Sequence, residues 1–319
     1  MNQDLFNKNI LMLADMQQLE SLADIQSFLK KWRSGAGLNL DHVYQLALTL
    51  NQYPLTTGIA PLCALGEGLD SRSGFWLRAD PCHIQISLQD IYFMSAKEAA
   101  LDAECAQALA EDLNERLKSE DMRLYCPHPW RWYIHSNQAM KTPAYLPMLD
   151  TTRSISMNLL NEETDPQWQW LQNEIQIHLF QHPLNQQRRQ QGQADINSLW
   201  LWGGAELPRV VKSPWQTIVS DLPLLVGIAK HQGVNLVSPN ISAKNLGEFL
   251  KNLPEQTLIF LQSQAIDGNL DNNYQETGLN DRQWLEYLLT HDLTKIKFAI
   301  LTRQQLYTRK AGLLTRWFK

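Results

Sequence analysis

Residues Asn197 to Gly204, NSLWLWGG, constrain this chain more than any other stretch. Ser198, Leu199, Trp200, Leu201 and Trp202 run without polar alternation, the pattern of a strand buried on both faces, and Gly203 and Gly204 end it. Each indole buries roughly 150–250 Å² when covered, so a layer must pack against the strand on each side. That requirement places the strand near the centre of an α/β sheet.

At 319 residues and ~150 residues per domain, the chain has room for about two domains. Its composition, 44% hydrophobic and 19% charged, is that of a folded globular protein rather than a disordered one. A net charge of −5 supplies no field for nucleic acid or an anionic membrane, so neither is expected as a partner. No apolar run approaches the ~20 residues that cross a bilayer, and MNQDLFNKN lacks the apolar core of a signal peptide, which makes the expected location cytoplasmic. Cys63, Cys82, Cys105 and Cys126 form no C-x-x-C pair and read as small buried apolar residues, not as a zinc site.

Taken in order, Asn9 to Asp15 reads as a first strand, Gln17 to Arg33 and Leu40 to Leu50 as helices, and the glycine-rich Leu55 to Gly74 as turns. The spacing of those glycines matches neither a P-loop nor a dinucleotide fingerprint. Strands are expected at Phe75 to Asp80, Cys82 to Leu88, Met122 to Cys126 and Trp130 to His135, with a helix over Ala96 to Lys118, an α+β order. Asp165 and Pro166, as N-cap and first helical residue, open a helix to about Gln181. Beyond Gly204, strands at Thr217 to Val219, Leu236 to Val237, Leu258 to Leu261 and Lys297 to Leu301 alternate with helices at Leu222 to Lys230, Ala243 to Leu250 and Asp281 to Leu289. This alternation indicates a largely parallel sheet with crossover helices. The basic, amphipathic tail from Gln304 reads as docked on the body of the protein or as a contact for an anionic partner.

Several residue groups have the composition of a site. Arg188 and Arg189, between Asn185 and Asn197, form either a clamp for a phosphate or carboxylate or a solvated face with one arginine paired to Glu174 or Asp195. Arg78 and Asp80 in FWLRADP, and His128 and Arg131 in CPHPWRWY, flank strands. An arginine in an apolar strand is costly to bury alone, so Arg78 marks an anion site or an ion pair with Asp80 or Glu67. His178 and His182 share a helix face, but Leu179 and Phe180 stand between them without the glutamate of a zincin. We therefore expect His182 to cap the helix C-terminus. Of the eleven tryptophans, Trp130, Trp132, Trp215 and Trp317 are expected nearest the surface.

The segments APLCALGEGLDSRSGFWLRADPCHI and HPLNQQRRQQGQADINSLWLWGG resemble archaeal-type cofactor-independent phosphoglycerate mutases. With CPHPWRWY, NEIQIHLFQHPLN and INSLWLWGG they are more closely similar to a bacterial group, the RpfE-type regulatory proteins. The resemblance spans roughly residues 54 to 300. It implies an α/β, alkaline-phosphatase-like, mostly parallel core formed by residues 1–80 and 205–319, with an inserted α+β domain at 81–204. It also carries Arg78, Asn185, Arg188 and Asn197 over as ligand-contacting candidates.

Such mutases use a serine nucleophile and two divalent metals, such as manganese, held by aspartates and histidines, including a late H-x-G-D-like segment. Here that segment reads FLQSQAIDGNLDNN, which keeps Asp267 and Asp271 and offers no histidine, while Asp15 follows the first strand as a metal aspartate would. The expectation is a catalytically degenerate mutase-like protein without a metal cofactor. It would bind a phosphorylated small molecule or a protein partner in a regulatory role. The alternative is an active metal-dependent phosphotransferase with Asp15, Asp267 and Asp271 as rearranged ligands.

Overall fold

The computed structural model describes residues 9–14, 33–34, 41–86, 91–140, 166–240, 245–262, 296–301 and 306–308. In chain order the elements begin with β1 (Asn9–Ala14), β2 (Arg33–Ser34), α1 (Asp41–Leu50) and α2 (Ala60–Gly66). Next come β3 (Phe75–Ile86), β4 (Ile91–Ser95), α3 (Ala103–Leu117), β5 (Met122–His128) and β6 (Arg131–Ser136). Then follow α4 (Pro166–Gln181), α5 (Pro183–Gln190), β7 (Ser198–Glu206), β8 (Thr217–Val219), α6 (Pro223–Gln232) and β9 (Asn235–Val237). The last are α7 (Leu246–Lys251), β10 (Thr257–Gln262), β11 (Ile296–Leu301) and β12 (Leu306–Thr308). None of the described helices is long and apolar enough to cross a membrane.

The chain divides into two compact units, one of Met1–Leu55 with Val210–Lys319 and one of Thr56–Arg209. These bounds differ from 80/81 and 204/205 for a physical reason. A cut at residue 80 would sever β3, which is one continuous strand, and would separate it from β7, its hydrogen-bonded neighbour through Phe75 to Cys82.

The first unit holds a seven-stranded sheet in the order β2-β12-β11-β1-β10-β8-β9. From β11 to β9 every neighbouring pair is parallel, and β12 and β2 add an antiparallel edge. The mostly parallel α/β core expected from strand and helix alternation is therefore present. Pro223 at the first turn starts α6, and Gly233, at φ 68, ends it in the left-handed conformation. Leu224, Leu225, Ile228 and Ala229 are buried on α6. Trp215 is buried as well, with its indole N–H donating to the Leu50 carbonyl at 2.8 Å, so the expectation of a surface position for Trp215 is corrected.

The second unit is built on an antiparallel sheet whose centre is β3, not β7. β7 lines one edge of β3, while β6 and then β4 line the other. Ser198 to Trp202 are buried on both faces as expected, because α2 and α4 pack against β7, but the strand is an edge of an antiparallel sheet. Trp132 lies on β6 with no exposed surface, again in place of the expected surface position. Trp130 is half-buried, and Trp317 lies outside the described residues.

β3 continues through Pro81, where two strands were expected. The Pro81 carbonyl accepts from Ala96 N–H, so its missing donor points to the edge shared by β6 and β4. There β6 pairing has ended at Arg78 and β4 pairing begins at Cys82, leaving no ladder bond for Pro81 to break.

Candidate functional site

Two polar groupings in the second unit contain the residues singled out from sequence. The first surrounds the α4–α5–β7 junction. His182 has extended backbone and caps the N-terminus of α5, its Nδ1 accepting from Leu184 N–H at 3.2 Å. It does not cap the C-terminus of α4, because Pro183 reopens a helix at once and the ring turns to that helix. Nε2 of His182 lies 2.8 Å from Asp112 Oδ2.

One turn further, Asn185 is fully buried and donates to the carbonyls of Leu179 (2.8 Å) and Ile196 (2.7 Å) while accepting from Ile196 N–H (2.9 Å). Arg188, also buried, donates through Nε to the Ala194 carbonyl at 3.0 Å and through Nη2 to the Ala99 carbonyl. Asn197 copies a strand residue with its side chain, accepting from Ile84 N–H at 2.8 Å and donating to the Ile84 carbonyl at 2.9 Å. Each of these three expected ligand contacts thus satisfies backbone groups that a turn or strand end would otherwise strand.

The same junction holds a chain of polar contacts that periodicity did not reveal. Asp195, buried, accepts from Arg189 on one oxygen and faces His83 Nδ1 at 2.8 Å on the other. Arg189 also donates to the Phe180 carbonyl at 3.1 Å and lies over the Phe180 ring. Of the two partners expected for this arginine pair, Asp195 is the one used; Glu174 pairs with Arg116 instead.

The second grouping lies on β3, β6 and α2. Arg78, only 3% exposed, donates to Asp80 Oδ1 from both Nε (3.0 Å) and Nη2 (2.7 Å). Its guanidinium lies 5.2 Å from the Tyr133 ring centre and 5.1 Å from that of Trp202. The Trp202 indole N–H completes the set by donating to Asp80 Oδ2 at 2.7 Å. Arg131 pairs with Glu67. His128 is held far below the usual imidazole range, at about 3, by burial and by the positive charges of Arg131 and Arg78, so its ring stays neutral. Burial likewise pushes the Tyr133 hydroxyl up. Two cations matched by two carboxylates form an internally neutral cluster. Arg78 is thereby placed apart from Asn185, Arg188 and Asn197, which meet at the α5–β7 junction.

His178 and His182 have ring centres 6.1 Å apart, and burial keeps His178 below its ordinary pKa. Among the described residues no three His, Cys, Asp or Glu side chains gather to hold a metal. The four cysteines are free thiols; burial drives Cys82 well up and Cys126 to about 12, so neither is a poised thiolate.

In the first unit the parallel strands β8, β10, β1 and β11 direct their carboxyl ends to one side, the side on which α/β sheets bind ligands. Ser220 and Asp221 follow β8 there, and Ser220 Oγ accepts from Leu222 N–H at 3.2 Å. Asp15, Asp267 and Asp271 lie outside the described residues. His231, on α6, receives Tyr53 at 2.7 Å and stacks on its ring.

No protein-family model matches the chain. A curated 2,3-bisphosphoglycerate-independent phosphoglycerate mutase from Methanosarcina barkeri is 25% identical over 269 residues, covering 77% of this chain and 66% of its own length, just under two thirds. Among solved structures, the PH0037 protein from Pyrococcus horikoshii has a TM-score of 0.51 at 15% identity, covering 97% of this chain and 89% of its own. A cofactor-independent phosphoglycerate mutase from Thermoplasma acidophilum has a TM-score of 0.40 at 13% identity, covering 96% and 91%. The chain shares its fold with the Pyrococcus protein and is distantly homologous in sequence to the archaeal mutase.

Proposed function

We propose that the chain keeps an alkaline-phosphatase-like, mutase-related scaffold without two-metal phosphoryl transfer and acts as an RpfE-type regulatory protein through contact with a protein partner. The observation that carries this reading is the histidine-free run from Gln232 to Thr290, which contains β10 and the segment leaving its carboxyl end. A mutase of this kind places imidazole ligands there. Carboxylates alone, at Asp15, Asp267 and Asp271, supply hard oxygen donors and favour magnesium or calcium over a two-metal centre with mixed nitrogen and oxygen ligands. The engagement of Arg78, Asn185, Arg188 and Asn197 with protein groups supports a partner other than a phosphorylated metabolite at those positions. Tyr92 (53%), Ile177 (54%) and Phe180 (64%) are large apolar side chains exposed on the second unit and are available to a partner.

Thermal unfolding with manganese and 3-phosphoglycerate, singly and together, tests this. A ligand at ~100 times its Kd stabilises by about 2.7 kcal/mol. The expected result is no shift in any condition. A shift that needs both metal and phosphoglycerate, lost in Asp267→Ala, would restore the enzyme.

A further inference from the structure

A groove of about 770 Å³ lies in the first unit between α7 and the β8–β9 edge of the parallel sheet. Its size falls within the ~300–1,000 Å³ of small-molecule sites. Its polar lining is the carboxamides of Asn235, Asn240, Asn245 and Asn252 with Thr217 and the Glu248 carboxylate, and its apolar lining is Phe249 with Val237, Leu253 and Pro254. Asn245 occupies the residue before α7 yet makes no capping hydrogen bond, so its side chain is not spent on the helix as an asparagine there usually is. Asn235, Asn245 and Asn252 are exposed, and Phe249 is half-buried.

We propose that this groove binds a neutral polyhydroxylated small molecule, a sugar or polyol. A carboxamide donates and accepts at once, which matches a hydroxyl in either role. Glu248 is placed to accept from hydroxyls, and the Phe249 ring offers an apolar face to the C–H side of a sugar ring. Neither Lys nor Arg stands among the described lining residues, where Glu248 is the one charged side chain, so these residues offer a phosphate no counter-charge. The site is independent of the regulatory reading above, and its ligand class is the opposite of a phosphoglycerate.

Saturation-transfer NMR on the full chain, with glycerol, D-ribose, D-glucose, maltose and 3-phosphoglycerate as separate probes, tests the proposal. At least one neutral probe should saturate. The Asn245→Ala/Asn252→Ala double variant and, separately, Phe249→Ala should each weaken it tenfold or more, the double variant with an unchanged melting curve, since Asn245 and Asn252 are exposed. Absence of saturation by all four neutral probes would overturn the proposal, as would undiminished binding in both variants or displacement of the neutral probe by 3-phosphoglycerate.

Discussion

Replacing Asn185 by alanine separates a structural carboxamide from a ligand-binding one. Its three hydrogen bonds serve the Leu179 carbonyl and both backbone groups of Ile196. The Leu179 carbonyl keeps a second donor, His182 N–H at 3.3 Å, so the substitution strands mainly the N–H and C=O of Ile196. Each buried backbone group left without a partner costs about 1–3 kcal/mol, so the two together cost about 2–6 kcal/mol, and the lost packing adds to that. Asn185→Asp keeps the acceptor for Ile196 N–H but loses both donors and buries a charge, so it should be no more stable than the alanine variant. Urea denaturation followed by tryptophan fluorescence reads the difference directly, because Trp168, Trp200 and Trp202 are buried in the same unit. A ligand-contacting asparagine would instead leave stability within about 0.5 kcal/mol of wild type. A loss below about 1 kcal/mol would refute the structural assignment.

Asp80→Ala takes the carboxylate from a buried Arg78 and should cost about 3–5 kcal/mol, whereas Arg78→Met/Asp80→Ala should recover much of the loss in a denaturation double-mutant cycle. His128, neutral down to about pH 3 when folded, takes up a proton near pH 6.5 when unfolded. Its contribution to stability is therefore present above pH 6.5 and lost as pH falls from 6.5 towards 3. The slope is at most about 1.4 kcal/mol per pH unit, and smaller for a partly exposed ring. His128→Asn should flatten that part of the stability profile, measured by denaturation at a series of pH values. Gly74 sits at φ 73 with its would-be Cβ 2.1 Å from His135 Nε2. Gly74→Ala should cost at least about 1–3 kcal/mol from backbone strain alone, seen as a lower melting temperature.

The elements were largely legible because their signals are local. Asp165-Pro166 announces α4, and Pro223 with Gly233 brackets α6. The lateral place of β7 was not legible. Unbroken apolarity reports that both faces are covered, and an edge strand between two helices shows it as fully as a central parallel strand does. β3 reads in the sequence as two strands because a proline at 81 argues against a ladder, and only the register of two partners on one edge shows the gap that accommodates it. Helix α5 was missed because its cap is a histidine, outside the usual Ser, Thr, Asp and Asn set. Arg78's pairing with Asp80 is legible in the sequence, since the two are neighbours on one face of a strand. The approach of His83 to Asp195 is a contact between residues 112 positions apart, which no spacing rule encodes.

Phosphoglycerate mutase turnover by the purified chain with manganese in excess, set beside Asp15→Ala and Asp267→Ala, separates a degenerate scaffold from an active enzyme. A degenerate scaffold gives a rate at the no-enzyme background in all three proteins. Manganese-dependent conversion of 3- to 2-phosphoglycerate that disappears in the aspartate variants would contradict it.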